Sequence, residues 1–299
     1  MIQINNVTKL FGNKKALDNI NLTIDEGSIF GLVGSNGAGK STLLRILAGV
    51  FDTDAGEALF NGESPFENPA VKSQLSFISD YPYFYSGATI ENTANFYKSI
   101  YSTWDEERYK YLTSVFPINT NQKVSTMSKG MQRQSAIILA LSTNPKYIFF
   151  DEIFDGLDPV VRELVKKILI SYVEQTKATV VIASHNLREL EGFCDHLGML
   201  HLGGILLEKN IDGDAIGLYR YQFVMDDNDY NEIKQSLDIV KESKQGKMFT
   251  VTVKGDFEHI NDFIMSRNPL YVESLPLTLE EVFISEMEAA GYDINQISL

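Results

Sequence analysis

Solid apolar runs alternate with stretches of helical periodicity along most of this chain. Runs at 28–33, 147–150 and 180–183 predict strands buried on both faces, because such strands need no polar alternation. The spacing of apolar residues turns helical after two of these runs, over 42–48 and 159–174. Alternating strands and helices of this kind predict a mostly parallel sheet with helices on both faces.

A second type of strand is predicted near the N-terminus, where apolar and polar residues alternate. Residues 1–10 and 17–24 show this alternation and predict antiparallel strands beside the main sheet. Residues 56–62 predict a further strand that ends in an Asn-Gly turn, and residues 75–78 predict a short strand. The first part of the chain is therefore expected to combine an antiparallel sheet with a parallel one.

Helical periodicity dominates the segment that follows, after an aromatic loop at 81–85. Two helices are predicted within 89–116, with a break near Ser102 and a proline after the second. Ser128 is a typical N-cap residue, and it predicts the start of a helix that runs from 130 to about 141.

The run at 34–41 reads G-x-x-x-x-G-K-S and stands between a predicted strand and a predicted helix. Its glycines let backbone N–H groups point inward, and the helix N-terminus adds unpaired donors and a partial positive charge. Lys40 would reach the β- and γ-phosphates, and the Ser41 hydroxyl would bind Mg²⁺. A glycine-rich turn without function is the alternative, and the flanking elements argue against it. The predicted nucleotide-binding residues are Gly34, Ser35, Asn36, Gly37, Ala38, Gly39, Lys40, Ser41 and Thr42.

Two predicted strands end in residues that suit phosphate chemistry. Asp151 follows the run at 147–150 and can hold Mg²⁺ opposite Ser41, and Glu152 can polarise an attacking water as general base. His185 follows the next strand and can hydrogen-bond the γ-phosphate, because ligands gather at the carboxyl ends of parallel strands. An Asp-Glu pair alone is typical of a solvated strand end, and a lone histidine of a structural role. The phosphate loop favours the functional interpretation of both.

Composition narrows the classes of function. The 299 residues are 44% apolar, which indicates a globular protein, and the net charge of -14 argues against a nucleic-acid surface built on bulk charge. Residues 211–299 hold 17 acidic and 7 basic residues, so the tail carries -10 of that charge. No stretch approaches the ~18–20 apolar residues of a membrane span, so action at a membrane requires another chain. The single cysteine, Cys194, is predicted to be a packed core thiol.

Taken in order, these motifs resemble the nucleotide-binding subunit of bacterial ABC transporters over residues 1–210. The matching motifs are the adenine-stacking aromatic residue, Walker A, the signature motif, the end of Walker B, the D-loop and the switch histidine. In this sequence they are Phe11, 34–41, Ser128-Lys129-Gly130-Met131, Asp151-Glu152, Gly156-Leu157-Asp158 and His185. The resemblance implies an α/β P-loop NTPase of ABC type, with an antiparallel β subdomain, a helical subdomain at about 80–145, and ATP and Mg²⁺ as cofactors.

The resemblance also implies how such a chain works. Two subunits, identical or related, dimerise head to tail, so that each ATP lies between Walker A of one subunit and Ser128 of the other. Asp158 is expected at the same nucleotide. ATP closes the dimer, hydrolysis opens it, and the helical subdomain passes the motion to a membrane-spanning permease. The implied location is peripheral, at the cytoplasmic face of the cell membrane, and the implied transport is export without a nucleic-acid partner.

Three positions depart from the family pattern. Asp80 stands where the Q-loop glutamine is usual; it is one methylene shorter and charged. We expect it still to contact the metal-bound water, as a metal-side residue with Ser41 and Asp151, while it weakens or retunes coupling. Ile153 replaces the proline that is usual after the Walker B glutamate, and Met131 replaces the usual signature glutamine.

Residues 211–299 are predicted to form a small acidic α/β accessory domain. Residues 221–224 and 248–253 look like strands, with helical stretches between and after them. Residues 276–284 resemble the closing helix of exporter-type subunits. A generic stabilising or dimer-supporting extension is the alternative for this tail, and none of its residues is a catalytic candidate.

Two other classes of function remain open from the sequence. One is a soluble ABC ATPase that acts on ribosomes or DNA; the single phosphate loop and the lack of sustained heptads count against it. The other is a regulatory module with weak ATPase activity, which Asp80 keeps open. The transported cargo is not specified by this chain.

Overall fold

The computed structural model of the protein describes residues 1–210, 217–275, 277 and 281. The chain divides into two compact units, Met1–Glu208 and Lys209–Leu299. The assignment of these units as an ATPase domain and an accessory domain stays a prediction.

The first unit contains the strands and helices that the sequence predicts, together with further elements that it did not predict. Its strands are β1 (Ile2–Phe11), β2 (Lys14–Ile24), β3 (Ile29–Val33), β4 (Ala55–Phe60), β5 (Leu75–Ile78), β6 (Tyr147–Asp151), β7 (Thr179–Ser184), β8 (His196–His201) and β9 (Gly204–Asn210). Its helices are α1 (Lys40–Leu47), α2 (Pro69–Lys72), α3 (Ile90–Ile100), α4 (Glu106–Val115), α5 (Lys129–Ser142), α6 (Pro159–Thr176) and α7 (Leu187–Leu190). The elements that the sequence did not predict are α2, α7, β8 and β9.

The central sheet has six strands in the order β5-β6-β7-β3-β8-β9. The pairings from β5 through to β8 are all parallel. Strands β3, β6 and β7 are buried along their whole lengths, which explains why their sequences are solid apolar runs rather than alternating ones. The predicted parallel sheet is confirmed, and the carboxyl ends of its strands share one edge.

A separate three-stranded sheet, in the order β2-β1-β4, is antiparallel as predicted. Strand β2 begins at Lys14, earlier than its apolar pattern indicates, because the hairpin turn is tight and Phe11 already pairs with Lys14. Strand β4 ends at an Asn-Gly turn in which Asn61 (φ 50°) and Gly62 (φ 89°) both adopt left-handed backbone conformations.

The three helices of the middle segment begin at side-chain caps. Thr89 accepts a hydrogen bond from the N–H of Asn92, and Asp105 accepts one from the N–H of Arg108. Ser128 accepts one from the N–H of Met131 at 3.2 Å, so its predicted role as the N-cap of α5 is confirmed. The predicted break between α3 and α4 is also present.

One hydrophobic cluster connects α1 to both sheets. Leu43, Leu44 and Leu47 of α1 belong to the same buried cluster as Ile4 of β1 and Phe149 of β6. Burial of each such side chain contributes roughly 1.5–3 kcal/mol. Helix α1, and with it the end of the loop at 34–41, is therefore held on a rigid base.

The second unit has the element order β-α-β-β-α-β. Its strands are β10 (Leu218–Val224), β11 (Asp238–Gln245), β12 (Met248–Lys254) and β13 (Tyr271–Leu275), and its helices are α8 (Asp227–Ser236) and α9 (Phe257–Ser266). The strand order is β11-β12-β10-β13, with antiparallel pairing throughout, which is the ferredoxin-like topology. A cluster that includes Phe223, Phe249 and Ile260 forms its core.

The sequence pattern indicated only two of these four strands. Most of β11 is exposed and polar, so it lacks the alternation that marks a half-buried strand. The closing helix predicted at 276–284 lies outside the described residues except at 277 and 281.

Two further expectations concern apolar segments. None of the helices within the described ranges combines the length and the apolarity that a membrane crossing requires. Cys194 is buried as predicted, and burial raises the pKa of its thiol, which disfavours the reactive thiolate.

Candidate nucleotide site

Three parallel strands deliver the candidate residues to one edge of the central sheet. The glycine-rich loop follows β3, Asp151 and Glu152 lie at the end of β6, and His185 follows β7. These strands are neighbours in the sheet, so residues far apart in sequence become adjacent. Ligand sites in open α/β sheets lie at this edge.

The loop at 34–41 is organised around Lys40, which is buried. Its Nζ donates hydrogen bonds to the carbonyl oxygens of Gly34 at 2.6 Å and Ser35 at 3.3 Å. Gly39 has φ 111°, and a Cβ at that position would lie 2.5 Å from the carbonyl oxygen of Ala16. Only glycine therefore fits where the loop enters α1. Burial lowers the pKa of Lys40, and the nearby Glu152 opposes that shift.

Ser41 and Asp151 bring two oxygen atoms together below the loop. The Ser41 hydroxyl donates to Oδ1 of Asp151 at 3.0 Å, and the Asp151 carboxylate is buried. Burial raises the pKa of Asp151, and the Ser41 hydrogen bond acts against it. No group of three or more His, Cys, Asp or Glu side chains suited to a metal occurs among the described residues. A hydroxyl and one carboxylate fit Mg²⁺ that takes its other ligands from water and phosphate.

Glu152 lies at the centre of the charged residues. Its backbone has φ 52°, so the chain turns at the end of β6 and the side chain faces the loop. Oε1 lies 3.6 Å from Nζ of Lys40, and Oε2 lies 2.9 Å from Nδ1 of His185. Oε2 also accepts a bond from the His185 backbone N–H at 3.3 Å. The structure thus brings the two catalytic candidates into direct contact.

A cleft of about 340 Å³ opens above these groups. It is lined by Phe11, Lys14, Ala16, Asn36, Gly37, Ala38, Gly39, Lys40, Ser41, Thr42, Asp80, Asp151 and Glu152. Phe11 is 47% exposed and makes an edge-on contact with Phe51, with the ring centroids 5.5 Å apart. An exposed aromatic face at the mouth of a phosphate cleft suits a nucleobase.

Arg133 is a residue near this cleft that the sequence analysis did not identify. It lies on α5, and its Nη2 donates to the carbonyl oxygen of Asp80 at 2.9 Å and to Oδ1 of Asp80 at 2.5 Å. Its Nη1 lies 3.6 Å from Oδ2 of Asp155. No local sequence pattern marks Arg133, because its contact with Asp80 joins residues 53 positions apart. Lys14 and Ala16 of β2 also line the cleft, and the sequence did not predict this. The pairing of β1 with β2 brings them there, rather than a local motif.

The signature-like residues and Asp158 do not line the cleft. Ser128 caps α5, and Lys129 lies next to Tyr81, with Nζ 5.7 Å from the ring centroid. Asp158 caps α6 by accepting bonds from the N–H groups of Val160 and Val161, each at 3.0 Å. Within one chain these residues therefore form helix N-termini outside the phosphate cleft.

The first turn of α5 packs directly on the segment after β6. A Cβ on Gly130 would lie 2.7 Å from the carbonyl oxygen of Gly156. Gly130 therefore allows Ser128–Met131 to approach the D-loop-like segment backbone to backbone.

Known proteins with similar sequences belong to ABC transporters. Residues 17–155 match the family model described as ABC transporter. The ABC transporter ATP-binding protein YtrB of Bacillus subtilis (strain 168) is 28% identical over 286 residues, which cover 96% of this chain and 98% of that protein. The lantibiotic transport ATP-binding protein SrtF of Streptococcus pyogenes is 30% identical over 214 residues, 71% of this chain and 92% of that protein.

A solved structure is similar over the same region. The dimeric bacterial ABC transporter cassette MJ0796 superposes with a TM-score of 0.64 at 25% identity, and the match covers 71% of this chain and 100% of that one.

Proposed function

This chain belongs to the ABC transporter family as an ATP-binding ATPase subunit, and from that premise we propose that it powers a separate membrane permease through ATP-driven dimerisation. The observation that carries the proposal is the contact of Glu152 with both Lys40 and His185 at the edge of the phosphate cleft. That arrangement combines a base, a phosphate-binding cation and a hydrogen-bond donor in one place.

In the proposed reaction, Glu152 accepts a proton from the water that attacks the γ-phosphate. Lys40 exchanges its bonds to the loop carbonyls for bonds to phosphate oxygens, and the loop N–H groups hold the rest of the phosphate chain. His185 orients the Glu152 carboxylate and donates to the γ-phosphate. Phe11 stacks on adenine at the mouth of the cleft.

Ser41 and Asp151 are the residues that would hold Mg²⁺. When bound, this ion neutralises the charge that develops on the transferred phosphoryl group. Asp80 lines the same cleft and is proposed to contact the water shell of the metal. Hard oxygen donors of this kind suit Mg²⁺ better than softer metals.

The proposed dimer completes the site with residues that lie outside the cleft in one chain. Ser128 and its neighbours Lys129, Gly130 and Met131 would face the γ-phosphate held by the partner, with Asp158 beside them. An α-helix N-terminus stabilises negative charge, and Ser128 begins such a helix. The related cassette MJ0796 is described as dimeric, which supports this arrangement.

The proposed permease contact is the aromatic loop at 81–85 and the groove beside it. Tyr81 and Tyr83 are 72% and 88% exposed, and Tyr83 borders a groove of about 280 Å³ formed with α3 and α5. Exposed aromatic residues grouped beside a groove are typical of protein–protein contacts. In this proposal the chain is a peripheral subunit at the cytoplasmic face of a membrane. The relative named for lantibiotic transport makes a lantibiotic the first cargo to test, with export as the proposed direction.

Substitution of the proposed base tests the hydrolysis mechanism. Glu152→Gln keeps the size and loses the proton acceptor, so turnover should fall by about 10² or more, and ATP should trap a dimer visible by size-exclusion chromatography. Glu174→Gln, on the exposed surface of α6, is the matched control. Hydrolysis by Glu152→Gln at the wild-type rate would contradict the assignment of the base.

Affinity purification from detergent-solubilised membranes of the source cell tests the permease. A multi-spanning membrane protein should co-purify with the wild type, and Tyr83→Ala should reduce its recovery. Tyr111→Ala is the control, because Tyr111 is also exposed but lines a different groove, between α4 and α6. Recovery of ribosomes or DNA instead of a membrane protein would favour a soluble ATPase.

A further inference from the structure

Arg133 joins three segments that surround the nucleotide cleft. It lies on α5, the helix that Ser128 begins, and its side chain is only 6% exposed. One end of its guanidinium holds both the carbonyl and the carboxylate of Asp80, and the other end approaches Asp155 after β6. The positive charge of Arg133 therefore lies directly beside one carboxylate oxygen of Asp80.

The charges that line the cleft show why this contact matters. Two lysines, Lys14 and Lys40, stand against three carboxylates, Asp80, Asp151 and Glu152. Taken alone, this lining would present a surplus of negative charge to a polyanionic nucleotide. Arg133 supplies a compensating positive charge behind Asp80. A glutamine at position 80 would not need such a counter-charge.

We propose that Arg133 is a positioning residue for the nucleotide site, which neutralises Asp80 and holds its carboxylate against the wall of the cleft. The cleft can then accept ATP without relying wholly on a divalent cation for charge balance. Because Arg133 belongs to α5, a shift of that helix changes the charge that Asp80 presents to the cleft. The inference rests on the proposed nucleotide site and assigns to it a counter-ion specific to the aspartate at position 80.

The test is the affinity of the full chain for ATP, measured by titration calorimetry once with excess MgCl₂ and once with EDTA. Arg133→Gln should raise the Kd in EDTA about fivefold while the Kd with Mg²⁺ changes less than about twofold, because the cation replaces the missing charge. Asp80→Asn should lower the Kd in EDTA. The double variant should return the ratio of the two Kd values close to that of the wild type.

Two further variants separate charge from fold. Arg133→Lys keeps the charge and should leave the ratio within about twofold of the wild type. Arg108→Gln removes another largely buried arginine, which lies on α4 and pairs with Asp105 at the start of that helix, and should leave the ratio unchanged.

The inference is overturned if Arg133→Gln folds with a wild-type circular dichroism spectrum and unfolding transition but keeps the wild-type ratio. It is also overturned if Asp80→Asn weakens binding in EDTA, and this variant decides the question should Arg133→Gln fail to fold. A wild-type chain that binds no ATP even with Mg²⁺ would overturn the proposed function as well. An unchanged ratio in a chain that binds ATP would overturn this inference alone.

Discussion

Several residues that line the cleft have conformations or surroundings that lower the stability of the folded chain. Asp151 is buried with one hydroxyl partner, Lys40 is buried against backbone carbonyls, and Glu152 adopts a left-handed backbone. A non-glycine residue in that conformation costs of order 1–3 kcal/mol. The packing of the surrounding fold offsets these costs.

The raised pKa of Asp151 makes its effect on folding stability depend on pH, and this dependence can be measured. Burial raises that pKa above the unfolded value near 3.8, so the folded state binds the proton more tightly than the unfolded state does. The free energy of unfolding therefore falls as the pH rises from about 3.8 through the higher pKa of the folded state. Asp151→Asn should therefore raise the Tm at pH 7 in EDTA, by about 2 °C, and the gain should shrink below pH 4. Thermal melts at both pH values measure it.

Asp54 provides the opposite case on the surface. The backbone N–H of Leu10 and the ammonium of Lys9 lower its pKa, so its contribution is present at neutral pH and is lost on acidification. Asp54→Asn should lower the Tm at pH 7.

The two substitutions should therefore act in opposite directions at pH 7. A lower Tm for Asp151→Asn at that pH would contradict the interpretation of Asp151.

The sequence was most informative at this scale where a motif specifies backbone geometry. The spacing of the glycines, Lys40 and Ser41 predicted a phosphate loop, and its residues line the cleft. Arg133 could not be predicted, because its contact with Asp80 joins residues 53 positions apart through the packing of α5. Pairings of this kind depend on tertiary structure rather than on local pattern.

Among the elements, α5 packs closely against the segment after β6. Gly130 lies in the first turn of α5, where an alanine would ordinarily improve helix propensity by roughly 0.5–1 kcal/mol. Here the added methyl group would meet the Gly156 carbonyl, and overpacking against backbone costs roughly 1–3 kcal/mol.

Gly130→Ala should therefore destabilise the chain by about 1 kcal/mol, measured by urea unfolding. Lys129→Ala is the control in the same turn, because Lys129 is exposed and its loss should change stability by less than about 0.5 kcal/mol. Stabilisation by Gly130→Ala would show that α5 moves away from Gly156 at little cost.

The sequence predicted the strands and helices that bury one face or both faces. It missed a strand whose residues are mostly exposed. Strands β3, β6 and β7 are apolar because both faces are covered, and the helix caps at Thr89 and Ser128 follow local chemistry. Strand β11 is an exposed edge, and its charged residues carry no periodic signal. Its place in the sheet comes from pairing with β12.

At the scale of the whole molecule, the two units have separate hydrophobic cores. The cluster around α1 contains residues from Ile2 to Ile205, and the cluster of the second unit contains residues from Tyr219 onwards. The fragment 1–210 should therefore fold alone and bind ATP with Mg²⁺ within about twofold of the full chain. Calorimetry and titration of the fragment measure both properties. A fragment that aggregates or loses ATP binding would contradict this independence.

The pairing of β10 with β13 has a consequence for the connectivity of this four-stranded sheet. Its first strand begins at Leu218, its last strand ends at Leu275, and Arg220 pairs directly with Leu275. The start of β10 and the end of β13 therefore lie on neighbouring strands, which are about 5 Å apart. The backbone from 218 to 275 is in this sense a nearly closed excursion. A deletion of that stretch would have to bridge a gap of only about two strand spacings.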